Sequence, residues 1–402
     1  MARLDFLDGL RGLAALGVVL HHFLAAFYPS TITGNPATAH LPGRWEADFA
    51  TSPLYALLTV RICFFFMLSG LVLAASAARA PRGLRMLLAQ LARRYARLGI
   101  PVALSVTLGY GLLLAHGFYH QSAAAASGAA WLQRYWHHLP TFRQYVGDSL
   151  FGVLLRGEIL YNPVLWTMVI EWRGSMLVLG LLALAGGWRG RLPLYAALAL
   201  GMALGQVSYY YVDFVLGLAL YEVHRQGWAT RLAAPWRWAL GLALLALALA
   251  TSLHHQGPYQ AATGPAGLPG VGDERADHLF HTLEAAAVLG AVLLSARLRR
   301  WVGGGLLRGL GKRAFALYLT HFLVLGSGAS WLFGALLPRF SYHASAGLTG
   351  LAAVPVLVVV AEAFYRGVDV PSHALARWVG RLVAAGLGLP RPAAPASAPP
   401  AR

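Results

Sequence analysis

Arg11 and His22 are the two residues of the first apolar segment, LRGLAALGVVLHHFLAAFY, whose side chains could act together. On a helix each residue turns by ~100°, so eleven steps make about three turns plus ~20° and put both residues on one face, roughly 16 Å apart along the axis. An imidazole titrates near neutral pH and can take a proton from a hydroxyl, while a guanidinium can hold an anionic group. The spacing therefore indicates a general base, His22, and an anion-binding Arg11 at opposite ends of one helix face.

The position of these groups in an apolar segment favours a functional interpretation without requiring one. A charged or strongly polar group costs about 2.5–3.5 kcal/mol at the centre of a bilayer and less near its edges, so it usually faces an internal cavity. Asp8 precedes Arg11 by three residues and can pair with it on a helix. The structural alternative is an Arg11 that snorkels to the surface and a His22 that is hydrogen-bonded to a neighbouring helix.

Glu171 lies in the middle of another apolar segment, NPVLWTMVIEWRGSMLVL, with Ser175 one helical turn beyond it. A buried carboxylate must pair with a cation, take up a proton or face water. Two interpretations remain open at this point. Glu171 forms a structural ion pair with Arg61 or Arg173, or it orients the substrate or a histidine.

Three arginines, Arg93, Arg94 and Arg97, precede a further apolar segment in RRYARLGIP. Guanidinium groups bind phosphate oxygens in bidentate pairs, so these residues are a candidate clamp for a phosphate-bearing donor. The alternative is a topology signal alone. Tyr318 and His321, in GKRAFALYLTHFLVL, share a helix face, and packing with one hydrogen bond is the simpler explanation for them.

Two other residues give weaker signals. Ser69, in FFFMLSG, is typical of the small residues that let membrane helices pack closely, and spacing places no base beside it. Cys63 is the single cysteine, so the sequence predicts neither an intrachain disulfide nor a metal cluster.

The elements that must position these residues are membrane helices. Of the 402 residues, 58% are hydrophobic and 12% are charged, whereas soluble domains are about a quarter charged. An apolar stretch of ~20 residues spans a bilayer. The sequence predicts an all-α polytopic membrane protein, a bundle of about ten transmembrane helices. The predicted spans are Leu10–Tyr28, Pro53–Ala77, Leu98–His116, Asn162–Ala185, Leu192–Gln206, Tyr209–Val223, Ala239–Leu253, Phe280–Ala296, Ala314–Leu336 and Ser345–Phe364.

The net charge of +17 follows this topology and does not indicate a nucleic-acid partner. Of the 32 Lys and Arg residues, 23 lie on the side of the N-terminus, six lie on the opposite side, and three lie within spans, namely Arg11, Arg61 and Arg173. Because loops rich in Lys and Arg stay in the cytoplasm, both termini are predicted to be cytoplasmic. The same charge attracts anionic lipid.

One membrane domain, residues 1–386, is expected to precede a disordered Ala/Pro-rich cytoplasmic tail at 387–402. The first apolar segment is not a good cleavable signal peptide, because Arg11 and two histidines interrupt it. The segment Ala78–Arg97 is expected to be a basic cytoplasmic stretch before the third span, for which a helix along the membrane surface is one interpretation. The outer loop Gly117–Tyr161 is rich in aromatic and polar residues.

Six segments, in this order, resemble the acyltransferase-3 family of integral membrane acyltransferases. They are LDGLRGLAALGVVLHH, which contains an Arg–ten residues–His signature, FFFMLSGLVL, RRYARLGIP, LWTMVIEWRGS, GKRAFALYLTHF and EAFYRGVDVPS. The resemblance covers roughly residues 5–375. It departs from the family at WRGS after Glu171, where an aromatic pair is usual, and at Asp213, where an uncharged residue is expected.

The resemblance implies about ten spans, cytoplasmic termini and transfer of an acyl group, usually acetyl, from acyl-CoA to a hydroxyl of a glycan or similar acceptor. It implies a multi-pass enzyme of the inner (plasma) membrane that uses acyl-CoA as a co-substrate and has no tightly bound cofactor or metal. His22, Arg11 and Glu171 are the catalytic residues under this resemblance. The residues that it assigns to the CoA-binding site are Arg93, Arg94, Arg97, Tyr318 and His321.

A proton-coupled small-molecule transporter is the alternative function, since it also needs many spans and buried Arg, Glu and His. Transporters usually show repeat symmetry or broken helices in matched halves, and the sequence indicates neither. The acceptor, the acyl length and the choice between direct transfer and an acyl-enzyme intermediate stay open.

Overall fold

The computed structural model describes residues 6–50, 52, 55, 62–77, 83–188, 190–205, 208–252 and 273–389. All the regular elements within these ranges are helical. The predicted disordered tail lies outside the described residues beyond position 389, and Arg61 also lies outside them. The final helix ends at Gly386, next to the start of the predicted tail.

We number the long helices in chain order. They are α1 (Phe6–Phe27), α2 (Ile62–Ala77), α3 (Leu84–Leu114), α4 (Trp166–Ala185), α5 (Arg191–Leu204), α6 (Tyr210–Arg225), α7 (Ala234–Ser252), α8 (Asp273–Leu294), α9 (Gly305–Val324), α10 (Tyr342–Phe364) and α11 (Val370–Gly386). Shorter helices occur at Ser30–Thr33, Trp45–Ala50, His120–Ser127, Phe142–Gly147, Trp228–Arg231, Ala296–Val302 and Ser330–Leu336. Short 3-10 turns occur at Pro36–Thr38, Leu132–Arg134 and Pro163–Leu165, and π-helical segments at Asp148–Arg156, Leu325–Ala329 and Tyr365–Asp369.

Helices lie at all of the predicted spans, but not all of them are long enough to cross a bilayer alone. Within the described ranges, six helical segments have the length and hydropathy of a span. A seventh arises if His278–Leu294 and Ala296–Val302, which meet at a bend of 104°, count as one. Helices α2 and α5 are apolar but shorter. The helical fold class is therefore confirmed for the described residues, with about six candidate membrane spans, while the number of ten spans and the cytoplasmic location of both termini stay predictions.

Helix α3 corrects the expectation that the basic stretch is separate from the third span. Its 31 residues form one helix that contains Arg93, Arg94 and Arg97, because Leu, Ala, Arg and Gln dominate its first half and all favour helix. The helix is roughly 46 Å long, whereas the hydrocarbon layer is ~30 Å thick. The three arginines therefore lie within a helix that is longer than the hydrocarbon layer is thick.

Helices α1 and α9 run parallel and touch backbone to backbone at glycines. A Cβ atom built on Gly311 of α9 would lie 1.6 Å from the carbonyl oxygen of Asp8 on α1, a distance that no side chain tolerates. A second contact of this kind occurs where a Cβ on Gly70 of α2 would lie 2.2 Å from the carbonyl oxygen of Phe214 on α6. The small residues at Ser69–Gly70 thus serve close helix packing, as the sequence indicates.

The substitution Gly311→Ala should therefore separate α1 from α9. Because the added methyl group overlaps the Asp8 carbonyl, we expect a loss of about 1–3 kcal/mol of stability, which is typical of overpacking. The matched control is Gly309→Ala on the same helix, where the nearest neighbour of an added Cβ lies at 3.8 Å. This substitution should raise the stability of the helix slightly. Thermal unfolding of the purified variants in one detergent measures both effects. Equal melting temperatures would contradict the close contact.

Candidate active site

His22 and His321 form the centre of the candidate site. The parallel packing of α1 on α9 brings the Nδ1 atom of His22 to 3.1 Å from the Nε2 atom of His321. The ring centroids lie 5.1 Å apart. His321 is 2% exposed, whereas His22 is half-buried. His22 thus bonds a neighbouring helix, as the structural alternative describes, and its partner is a residue that the resemblance assigns to the CoA site.

The hydrogen-bond partners of His321 determine where the protons lie. Its Nδ1 atom lies 2.8 Å from the carbonyl oxygen of Tyr318 and 3.1 Å from that of Leu317. Both are acceptors, so Nδ1 of His321 carries a hydrogen and its Nε2 accepts one. Nδ1 of His22 must then be the donor between the two rings. The Nε2 atom of a neutral His22 is left with a lone pair.

The backbone carbonyl of Val18, one turn earlier on α1, is a second acceptor beside the His22 ring, and a neutral ring that carries its hydrogen on Nδ1 keeps a lone pair on Nε2. Aromatic rings surround the imidazole. Phe322 packs edge-on at 5.2 Å between centroids, and Trp131 lies at 6.2 Å. The indole nitrogen of Trp131 donates a hydrogen bond to the carbonyl oxygen of Ala25 on α1, at 2.8 Å. The arrangement presents one basic atom inside an aromatic enclosure.

The aromatic outer loop forms one side of this enclosure. Trp136 stacks on Phe118 with their centroids 4.0 Å apart, and it lies 5.6 Å from the ring of Phe322. Beside it, burial lowers the pKa of His120, although its hydrogen bond to the Tyr135 carbonyl acts in the opposite direction. A neutral His120 fits this apolar setting. Sequence analysis noted the aromatic enrichment of this loop but did not place Trp131 beside His22.

Glu171 pairs with Arg94 of α3. The guanidinium of Arg94 donates to the Glu171 carboxylate through Nη2 and to the Ser175 hydroxyl through Nε, the latter at 2.9 Å. Glu171 and Ser175 lie one turn apart on α4, so a single planar fork reaches both. Sequence reasoning offered Arg61 or Arg173 as partners. The structure instead places Arg173 against the Leu155 carbonyl oxygen at 3.0 Å.

Arg97 is bound in the same way one turn farther along α3. Its Nη2 atom lies 2.7 Å from the carboxylate of Asp369, and its Nη1 donates to the Ser372 hydroxyl at 3.2 Å. The guanidinium also lies over the ring of Phe315, 5.3 Å from the centroid. Sequence reasoning did not identify Asp369, because it lies 272 positions later in the chain. Arg93, by contrast, is exposed and has no hydrogen bond or ion pair to any described residue.

Arg11 lies near these pairs, at the end of α1 opposite to His22. It forms an ion pair with Asp8 at 3.3 Å, as its spacing predicts. Its charge also repels the guanidinium groups of Arg94 and Arg97. Three arginines and three carboxylates therefore meet at one end of the bundle, and each arginine has a carboxylate of its own.

Tyr318 connects the two regions. Its hydroxyl donates to the carbonyl oxygen of Val164 and lies 2.6 Å from the hydroxyl of Thr167. Its ring lies 5.9 Å from that of His321, and the charge of Glu171 acts on its hydroxyl. The predicted site residues thus form a continuous series from the arginine end of the bundle to the histidine pair.

Cys63 belongs to a separate polar cluster. Its sulfur lies 3.6 Å from Nδ1 of His278, and Nε2 of the same ring lies 3.1 Å from the Asp213 carboxylate, which also accepts from Thr282 at 2.7 Å. One ligand atom each from Cys63, Asp213 and His278 lie within 4.8 Å of one another, a geometry that a metal ion could use. The expectation that Cys63 could join no metal cluster considered cysteines alone. It left out Asp213 and His278, which α6 and α8 bring beside Cys63.

Comparison with known proteins decides the family. A family model described as an acyltransferase domain matches residues 4–363, nearly the whole chain. The chain belongs to this acyltransferase family. A curated relative, the O-acetyltransferase PaAT-1 of Phomopsis amygdali, is 24% identical over an alignment of 424 positions that includes 93% of this chain and 84% of that protein. No solved structure matches the chain.

The substitution Arg94→Ala should destabilise this acyltransferase strongly. It leaves the buried Glu171 carboxylate without its cation, and a broken buried pair costs about 3–5 kcal/mol. The double variant Arg94→Ala/Glu171→Ala removes both charges and should unfold at a higher temperature than Arg94→Ala alone.

Thermal unfolding of the purified variants provides the measurement. Arg173→Ala is the matched control, since Arg173 is exposed and bonds only a carbonyl oxygen among the described residues; it should change the melting temperature little. Additive losses in the double variant would show that Glu171 does not depend on Arg94.

Proposed function

We propose that this membrane acyltransferase moves an acyl group, by resemblance an acetyl group, from cytosolic acyl-CoA to a hydroxyl of a carbohydrate or similar acceptor. The observation that supports this most directly is the histidine pair. His321 accepts a hydrogen bond from Nδ1 of His22. The Nε2 atom of His22 therefore keeps its lone pair, and it lies inside an aromatic enclosure. A general base needs an unprotonated atom held within reach of the proton that it removes.

In direct transfer, Nε2 of His22 takes the proton of the acceptor hydroxyl while the oxygen attacks the thioester carbonyl carbon. A C–O bond forms, the C–S bond breaks, and the proton passes from Nε2 to the leaving sulfur. The products are an ester and free CoA, and His22 returns to its neutral form. Removal of a proton by a positioned side chain contributes typically about 10²–10⁴-fold to a rate.

In the second route, Nε2 of His22 attacks the thioester itself and later passes the acyl group to the acceptor. Both routes need the same lone pair on the same atom. Both also need Nδ1 to carry the hydrogen, which is the arrangement that His321 favours. The role of His321 is then to position His22, and it replaces the CoA contact that the resemblance implied.

The arginine end of the bundle is proposed to receive the donor. Arg11, Arg94 and Arg97 lie near one another at that end, and the Arg94–Glu171 and Arg97–Asp369 pairs hold α3 against its neighbours. Beside these pairs, the exposed Arg93 has no ion pair to a described residue, and its positive charge suits the phosphates of acyl-CoA. Under this proposal, Glu171 orients Arg94 rather than touching the reacting atoms. Membership of an acyltransferase family favours this function over the proton-coupled transporter that the residue types alone left open.

The substitution His22→Ala should abolish transfer while the protein still inserts and folds. Replacing His321 tests its positioning role more finely. Leucine cannot accept the Nδ1 hydrogen of His22, so His321→Leu should lower the rate steeply, whereas the amide oxygen of His321→Gln can accept it and should restore part of the activity.

Transfer of radiolabelled acetyl from acetyl-CoA to cell-envelope material, in membranes that contain equal amounts of each variant, provides the readout. The control is His138→Ala, a change to an exposed histidine of the outer loop. Full activity in His22→Ala would remove this residue from the chemistry. Equal activity of the leucine and glutamine variants at position 321 would rule out the proposed positioning role.

A further inference from the structure

Helix α11 lies beyond the matched family segment and yet packs along the arginine-bearing half of α3. The family model ends at residue 363, whereas α11 begins at Val370. The two helices are antiparallel: Ser372 contacts Arg97, and a Cβ built on Gly380 would lie 2.9 Å from Cβ of Arg93. A face of small buried residues on α11, namely Ser372, Ala376 and Gly380, makes this approach possible.

The helical run that ends with α11 is longer than the hydrocarbon layer is thick. The helical run from Tyr342 to Gly386 has 45 residues and is roughly 67 Å long, while the hydrocarbon layer is ~30 Å thick. An exposed apolar stripe on α11, formed by Leu375, Trp378 and Leu382, is typical of a helix at a membrane surface. The face next to the buried one carries His373 and Arg377, which are both exposed.

Cations from both helices converge at this junction. His373 feels the charges of Arg93, Arg97 and Arg377, and Arg93 feels that of Arg377. Asp369 neutralises Arg97, but neither Arg93 nor Arg377 has an ion pair to any residue that the structure describes. Like charges that approach one another repel, and an anion bound between them replaces this repulsion with attraction. The junction therefore presents exposed cations to which an anionic group could bind.

We infer that Arg93, His373 and Arg377 form a binding site for the phosphate groups of the acyl-CoA donor, built jointly by α3 and α11. This inference rests on the proposed function, in which acyl-CoA is the donor, and adds a helix outside the matched family segment to its binding site. Arg94 and Arg97 hold the bundle together through their own carboxylates, so the exposed cations beside them are the ones available to a ligand. A lipid phosphate offers the same chemistry, and the experiment separates the two sources.

The test measures the affinity of the purified full chain for acetyl-CoA in nanodiscs of phosphatidylcholine alone. Arg377→Ala and Arg93→Ala should each raise the Kd about tenfold or more, as loss of a charge-assisted hydrogen bond does. Neither change should lower the melting temperature of the ligand-free protein, because each relieves repulsion and breaks no pair with a described residue. Arg381→Ala is the matched control, one turn along the same exposed face, and should leave the Kd unchanged.

S-acetyl-pantetheine, which lacks the nucleotide and all phosphates, separates phosphate binding from a general structural effect. It should bind the wild type more weakly than acetyl-CoA does, and its Kd should be the same for wild type, Arg93→Ala and Arg377→Ala. Equal loss for both ligands, or no loss for acetyl-CoA, would overturn the inference. A loss of acetyl-CoA affinity in the variants that occurs only in nanodiscs with phosphatidylglycerol would also overturn it, since the site would then bind lipid. If the wild type bound neither ligand, the acyl-CoA proposal itself would fail, and this inference with it.

Discussion

The close contact between α1 and α9 is the constraint on which the candidate site depends. Two parallel helices can approach until their backbones touch only where side chains are absent, and the carbonyl of Asp8 occupies the space that a Cβ of Gly311 would need. This approach at one end of the helices brings His22 and His321 within hydrogen-bond distance at the other. A wider spacing between the helices would separate the two rings and remove the hydrogen bond from His22 to His321.

The two ends of the candidate site differ in charge: one holds ion pairs, and the other holds neutral imidazoles. At the arginine end, Arg11, Arg94 and Arg97 each have a carboxylate, which lets strongly polar groups exist inside an apolar bundle. At the histidine end there is no need for a counter-charge, because a neutral pair of imidazoles is linked by one hydrogen bond. Acyl transfer by a general base suits the second region, and the exposed cations beside the first suit recognition of an anionic donor.

The sequence predicts the helical membrane class, the shared face of Arg11 and His22 and the pairing of Asp8 with Arg11, because these depend on composition and on contacts within one helix. It does not predict the partners that close the site. Glu171 finds Arg94 at a separation of 77 positions, and His22 finds His321 at 299. Local spacing carries no information about such contacts, and only the family resemblance placed these segments in one site. The unbroken helix α3 is not predicted for another reason: a cluster of arginines before an apolar segment indicates a stretch at the membrane surface, and local pattern does not show that this stretch continues the helix of the third span.

The tautomer of His22 is the central claim, and nitrogen NMR of the imidazole rings tests it most directly. The full chain would be labelled with 15N-histidine in nanodiscs, and the His22 signals would be assigned by their absence from the spectrum of His22→Gln. The account predicts a neutral ring with hydrogen on Nδ1 and a bare Nε2, and it predicts that this signal shifts in His321→Leu. A ring that is protonated on Nε2, or a signal that His321→Leu leaves unchanged, would contradict it.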